Sequence, residues 1–175
     1  MNLVDIETNI IFMKAPLFIV LTFFSFCGIA QNQTPTAPAI VAYGNPISLE
    51  AAKKIVSAAE AFALSKQWTV AIAIVDAGGN LVLLEKFDNT QLSSTDVAIG
   101  KAKTANNFKR PTKAMEDVIA GGGAGLRLLA VPGVFPVAGG EPILLNGKII
   151  GAVGVAGMQP TQDEEVAKAG LAALK

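Results

Sequence analysis

The stretch Trp68-Thr-Val-Ala-Ile-Ala-Ile-Val-Asp-Ala-Gly-Gly-Asn-Leu-Val-Leu-Leu-Glu-Lys-Phe-Asp88 decides the fold. Val70 to Val75 is an unbroken run of β-branched residues and alanine, the composition of a strand buried on both faces. Asp76-Ala-Gly-Gly-Asn80 is turn chemistry. Its glycines supply positive φ, and the Asp76 carboxylate can bond the turn's own backbone. Leu81 to Phe87 returns as the partner strand. Two strands joined so tightly run antiparallel.

Upstream, Ser48 is an expected helix cap and Glu50 sits in the first turn, where the helix dipole favours a carboxylate. Ala52, Ile55, Val56, Ala59, Phe62 and Ala63 recur at helical spacing, with Lys53, Lys54, Ser57 and Glu60 opposite, so a helix is predicted to about Lys66. Downstream, Asp88-Asn-Thr90 ends the second strand, and Ser93 or Ser94 caps a helix to about Phe108. The packing face of that helix is Ala98, Ala102 and Ala105, small enough for close approach. Pro111 disfavours helix at Arg110, and Thr112 is the expected cap of a short third helix through Ile119. Gly121-Gly-Gly-Ala-Gly125 reads as a mobile connector. It is no phosphate loop, because no Gly-Lys-Ser/Thr follows.

After a bent segment at Val131–Pro136 and a glycine turn at Val137–Pro142, strands are predicted at Ile143–Leu145 and Lys148–Ala156, joined by Asn146-Gly147. Gly151, Gly154 and Gly157 punctuate the last run. They suggest close approach by a helix, a ligand or another subunit. Thr161 with Glu164 suggests a capping box for the final helix. The expected fold is α/β in the α+β sense: an antiparallel sheet of about five strands with helices packed on it.

The 175 residues carry 14 basic and 14 acidic side chains, so no net field draws in nucleic acid. The chain has no histidine, which removes the commonest general base and metal ligand. Residues 1–30 read as an export signal: Met13-Lys14 is a basic start, Leu17 to Phe26 an apolar core, and Gly28-Ile-Ala30 a small-x-small cleavage site. Met13 is a candidate true start. An uncleaved anchor, or a lipoprotein modified at Cys27, is the alternative. The apolar core is shorter than the roughly 20 residues of a comfortable membrane span. Export to the periplasm or beyond the cell is the expectation. Residues 31–46, rich in Pro, Thr and Gln, read as a linker, and 47–175 as the folded domain.

Six motifs then coincide in order: Ile74-Val-Asp-Ala-Gly-Gly-Asn80, Lys101-Ala-Lys-Thr-Ala105, Arg110-Pro-Thr112, Pro136-Val-Ala-Gly-Gly-Glu-Pro142, Gly151-Ala-Val-Gly-Val-Ala-Gly157 and Gln162-Asp-Glu164. On these the chain resembles the GlcG/HbpS family of haem-binding-like proteins, related to the C-terminal domain of PduO-type proteins. The resemblance covers about Ser48 to Leu174. It implies a profilin-like fold, assembly into homo-oligomers and haem as a cofactor. Asn80 stands where many relatives carry His. The remaining iron donors in the mature chain are Met115, Met158 and Tyr43, or a Lys or Thr side chain acting unusually.

Candidate ligand contacts are Lys101, Thr104, Arg110, Gly139, Gly140 and Asp163. Lys101, Lys103, Thr104, Lys109 and Arg110 form a basic stripe that can hold carboxylates, or be a solvated helix face. Gly139-Gly140 can present N–H groups to an anion, or be a turn needing positive φ. Asp163 and Glu164 can act as acid or base, or cap a helix. No nucleophile–base pair or metal spacing assembles, so no catalytic residue is named. Three functions follow: a small-molecule binder with haem or a related tetrapyrrole as ligand, a cofactor-free enzyme on a small organic acid using Lys101 with Asp163 or Glu164, and a ligand-free homo-oligomer.

Overall fold

A computed structural model describes residues 40–174. The export signal and the first part of the linker lie outside the described residues. From Ser48 onward the chain forms α1 (Leu49–Ser65), β1 (Ala71–Asp76), β2 (Leu81–Lys86), α2 (Ser94–Phe108), α3 (Thr112–Ala120), β3 (Gly140–Leu145), β4 (Lys148–Ala156) and α4 (Pro160–Leu171). Among these residues no helix is long and apolar enough to cross a membrane.

The strands make one antiparallel sheet in the order β2-β1-β4-β3. It has four strands, not about five. Gly151 and Gly154 lie within β4, which runs nine residues, and Gly157 follows its end. At Gly154 a Cβ would lie 2.1 Å from the Ala98 carbonyl and 2.5 Å from the Ala102 nitrogen. The glycine therefore lets α2 lie against the sheet within the same chain. The small residues of β4 and α2 are used there, not at a subunit contact. At Gly151 a Cβ would fall 2.2 Å from the Val75 carbonyl.

Each face of the sheet has its own chemistry, because successive side chains alternate. Ile72, Ile74, Val153 and Val155 pack with Ile55, Val56 and Val166 in the main core under α1 and α4. Ala71, Ala73, Ala152 and Ala156 face Ala98, Ala102 and Ala105 of α2. β1 is buried from Ala71 to Val75, as its unbroken apolar run implies.

Both turns behave as their residues require. Gly79 has φ +81, and the Asp76 carboxylate accepts the Asn80 N–H at 2.9 Å. Those turn amides hold the Asp76 carboxyl below its usual range, with the Asn80 N–H the largest influence. Asn146 and Gly147 both have positive φ, the requirement of a two-residue hairpin.

Several local expectations are corrected. Ser48 does cap α1, accepting the Ala51 N–H at 3.2 Å. Ser93 precedes α2 but makes no capping bond. Thr112 is the first residue of α3 and not its cap, because its hydroxyl is engaged by Gly140. In α4 the Gln162 side chain reaches back to the Gln159 N–H at 3.1 Å, displacing the expected Thr161–Glu164 box by two residues. The glycine-rich connector continues as a 3₁₀ helix over Gly123–Ala130. Gly125 packs so close to α3 that a Cβ would lie 2.0 Å from the Val118 carbonyl.

The described end of the linker is docked. Ile149 donates to the Ala42 carbonyl at 3.0 Å, Gly44 to Ile149 at 2.7 Å and Ile47 to Ile150 at 2.8 Å, so the segment runs beside β4 past the end of β1. Lys109 Nζ donates to the Val41 carbonyl at 2.8 Å and lies 4.4 Å from the centre of the Tyr43 ring.

Candidate functional site

α2 lies across β4 and carries Lys101 into the space where β4 turns into α4. Four methylenes and an ammonium suit this position: the stem packs among the alanines while Nζ reaches polar partners at the far end. Lys101 Nζ donates to Asp163 Oδ2 at 2.8 Å and to the Val155 carbonyl at 2.9 Å. Asp163 is in the first turns of α4, where the helix dipole favours its charge, and its Oδ1 accepts the Met158 N–H at 3.0 Å. Both side chains are 2% exposed. Burial pushes the Asp163 carboxyl above the ordinary range, against the pull of the Lys101 ammonium and the N–H groups of Met158 and Gly157. Such a pair must stay together, since separating it would strand a buried charge.

The pair floors a cleft of about 160 Å³ whose rim includes Ser93, Ser94, Val137 and Met158. Gly139 covers it. With φ +116, its backbone runs so close that a Cβ would lie 2.8 Å from Asp163 Cβ and 3.0 Å from Lys101 Nζ. Gly140 is equally tight, 2.5 Å from the Lys101 carbonyl by the same construction. Its N–H donates to Thr112 Oγ1 at 2.9 Å, so that amide is not free for an anion. The two glycines serve close packing.

The expected basic stripe is thus divided. Lys101 and Thr104 are buried, Lys103 and Arg110 are exposed, and Lys109 holds the incoming segment. Thr104 Oγ1 accepts the Phe135 N–H at 2.9 Å, pinning the bent segment against Gly100, where a Cβ would collide with the Phe135 ring at 2.3 Å. Arg110 Nε bonds the Phe108 carbonyl at 3.2 Å on the surface. The structure therefore brings Lys101 and Asp163 together in the cleft, packs Gly139 and Gly140 against them, and leaves Thr104 and Arg110 outside it. Glu164 pairs with Lys168 on the outside of α4.

Two buried polar groups escape the sequence reading. Glu141, on β3, is 6% exposed. Its Oε1 has no hydrogen-bond partner, and the Lys168 ammonium is 4.0 Å away. Burial pushes its carboxyl up to about 7, with Lys168 opposing and Glu164 adding to the rise. Its place in Gly139-Gly-Glu-Pro142 was the available signal. Asn106, 1% exposed, donates to the Ala77 carbonyl at 3.2 Å and so ties α2 to the hairpin turn. The Tyr43 hydroxyl donates to the Asn106 carbonyl at 2.8 Å.

Residues 47–172 match the family model described as "Haem degrading protein HbpS-like". An uncharacterised 15.0 kDa protein of Citrobacter freundii, from the dhaT-dhaS intergenic region, is 39% identical over 127 residues, 71% of this chain and 89% of that one. A double mutant of HbpS from Streptomyces reticuli superposes with TM-score 0.70 at 32% identity, covering 81% of this chain and 99% of that one. The chain of a PduOC–haem complex superposes with TM-score 0.68 at 30% identity, covering 73% and 94%. With the family model spanning all eight helices and strands, the chain belongs to the GlcG/HbpS, or HbpS-like, family.

Proposed function

We propose that this chain is an exported binder of haem or a related tetrapyrrole. The observation that carries the reading is the similarity to a chain solved as a haem complex, over 94% of that chain's length. The export signal read at residues 1–30 supplies the address.

The donor set does not fit a histidine-ligated iron. Histidine is absent from the sequence. Met115 is 3% exposed under α3, and the Tyr43 hydroxyl is committed to Asn106. Met158 does line a cleft, but one of only about 160 Å³, against roughly 300–1,000 Å³ for small-molecule sites. The tetrapyrrole is therefore held by ring and carboxylate contacts. A cleft of about 600 Å³ between residues 43–48 and the β3–β4 hairpin suits it. Ile47, Leu145 and Ile150 offer apolar walls, and Lys148 offers a cation for a propionate.

The test is a titration of the purified chain with hemin and, in parallel, with metal-free protoporphyrin IX, following the Soret band. Saturable shifts with both, at affinities within about threefold (under ~1 kcal/mol), are expected. No saturable shift at micromolar protein would sink the reading.

The buried Lys101–Asp163 pair at the floor of its cleft favours a second reading, binding or turnover of a small organic acid. Loss of that binding on Lys101→Ala, with the fold retained by circular dichroism, would establish it. The ligand-free homo-oligomer is tested by light scattering, and a monomer would reject it.

A further inference from the structure

The C-terminal end of α1 meets the edge strand β2 at a separate cleft of about 460 Å³, within the range of small-molecule sites. Trp68, Phe87 and Leu64 form its apolar walls. Trp68 is steadied by an edge-to-face contact with Phe62, ring centres 6.1 Å apart. Register sets the side from which Glu85 approaches. Glu85 pairs with Ile72 and Leu83 with Ile74, and both isoleucines belong to the core beneath α1. Glu85 and Phe87 therefore point to the α1 side, where Glu60 reaches the same cleft. Lys86 pairs with Ala71 and so leaves the strand on the opposite, α2 face, but it also borders the cleft, as does Asp88, leaving three carboxylates and one ammonium around it. Glu60 and Glu85, from different elements, thus converge on aromatic walls. Among the described residues neither forms an ion pair.

We propose that this cleft binds an organic cation, a primary amine or quaternary ammonium carried on an apolar body. Trp68 offers a π face to the cation, Glu60 and Glu85 supply its counter-charge, and Leu64 and Phe87 accept the apolar part. The Glu85 carboxyl is pushed up, first by burial and then by Glu60, with nothing opposing. A cation would relieve both. The same carboxylates repel anions, so this site is distinct from the tetrapyrrole cleft. A bare metal ion is the poorer fit, because two carboxylates on an apolar wall leave most of its oxygen ligands unprovided. Among the described residues no cluster of three or more acidic, His or Cys residues assembles.

Trp68 is the only tryptophan in the chain, so its fluorescence reports this cleft directly. The full chain is titrated with benzyltrimethylammonium chloride, with sodium chloride at matched ionic strength, and with benzyl alcohol as the neutral arm. The expected result is a saturable change with the ammonium alone, with affinity about fivefold weaker in Glu60→Gln and in Glu85→Gln. Both variants keep side-chain size at partly exposed positions, and circular dichroism checks their fold. The indole N–H resonance of the unaltered chain gives a second readout. The proposal is overturned by no saturable response up to about 50 mM ammonium (weaker than ~−2 kcal/mol), or by an undiminished response in the double Gln variant.

Discussion

Glu141 gives the sharpest quantitative test. Its carboxyl is 6% exposed, Oε1 accepts no hydrogen bond, and its value is raised from 4.5 to about 7. Between those two values the folded chain keeps a proton that the unfolded chain has released. The stabilising contribution is therefore fully present below pH 4.5 and is lost as pH rises through about 7. At ~1.4 kcal/mol per pH unit, the rise from 4.5 to about 7 sets a ceiling near 3.5 kcal/mol, of which about 2.5 kcal/mol falls between pH 5 and pH 8. Glu141→Gln retains the shape of the protonated acid and removes the titration. The assay is urea unfolding of both proteins at several pH values, at constant salt. The variant should gain about 2–3 kcal/mol on the original chain from pH 5 to pH 8. Other groups that titrate in both proteins, Asp163 among them, cancel in the difference. A difference that stays flat within ~0.5 kcal/mol, or one that falls as pH rises, would refute the argument.

Two further perturbations address the packing and the buried pair. Gly154→Ala should cost about 3 kcal/mol or more in urea unfolding, because the new methyl meets the α2 backbone at 2.1 Å. Gly121→Ala, whose Cβ meets nothing nearer than 3.5 Å at a right-handed φ, should stay within ~1 kcal/mol of the original. Lys101→Met and Asp163→Leu should each cost about 3–5 kcal/mol. The double change Lys101→Met with Asp163→Leu should cost clearly less than the sum of its single changes. Additive losses in that cycle would show that the 2.8 Å contact carries no coupling.

Most of the fold was legible because it is written in local patterns. The Val70–Val75 run, the turn at Asp76–Asn80, Asn146-Gly147 and the amphipathic face of α1 each need only neighbouring residues to be read. The glycines of the last strand needed the tertiary structure. A glycine in a strand can signal a neighbouring helix, a ligand or another subunit, and only the position of Ala98 and Ala102 against Gly154 decides among them. The displaced α4 cap and the engaged Thr112 hydroxyl have a similar cause. Several side chains of suitable chemistry stood near each helix start, and distant partners chose among them.

The candidate site divides the same way. From residue types alone, Lys101 and Arg110 are interchangeable members of one basic stripe. Their difference is tertiary: Lys101 falls beneath β4 and meets Asp163, 62 residues away, while Arg110 lies beyond the end of α2 in solvent. Glu141 looked like part of a turn until β3 carried it under α4. Glu60 and Glu85 come together only because strand alternation sends Glu85 toward the face that α1 covers. Local residue patterns were enough for most helices and strands, for the missing histidine and for the family. The pairing of charges across the sheet was decided by the tertiary structure, because periodicity tells which face a side chain takes and not which distant side chain it will meet there.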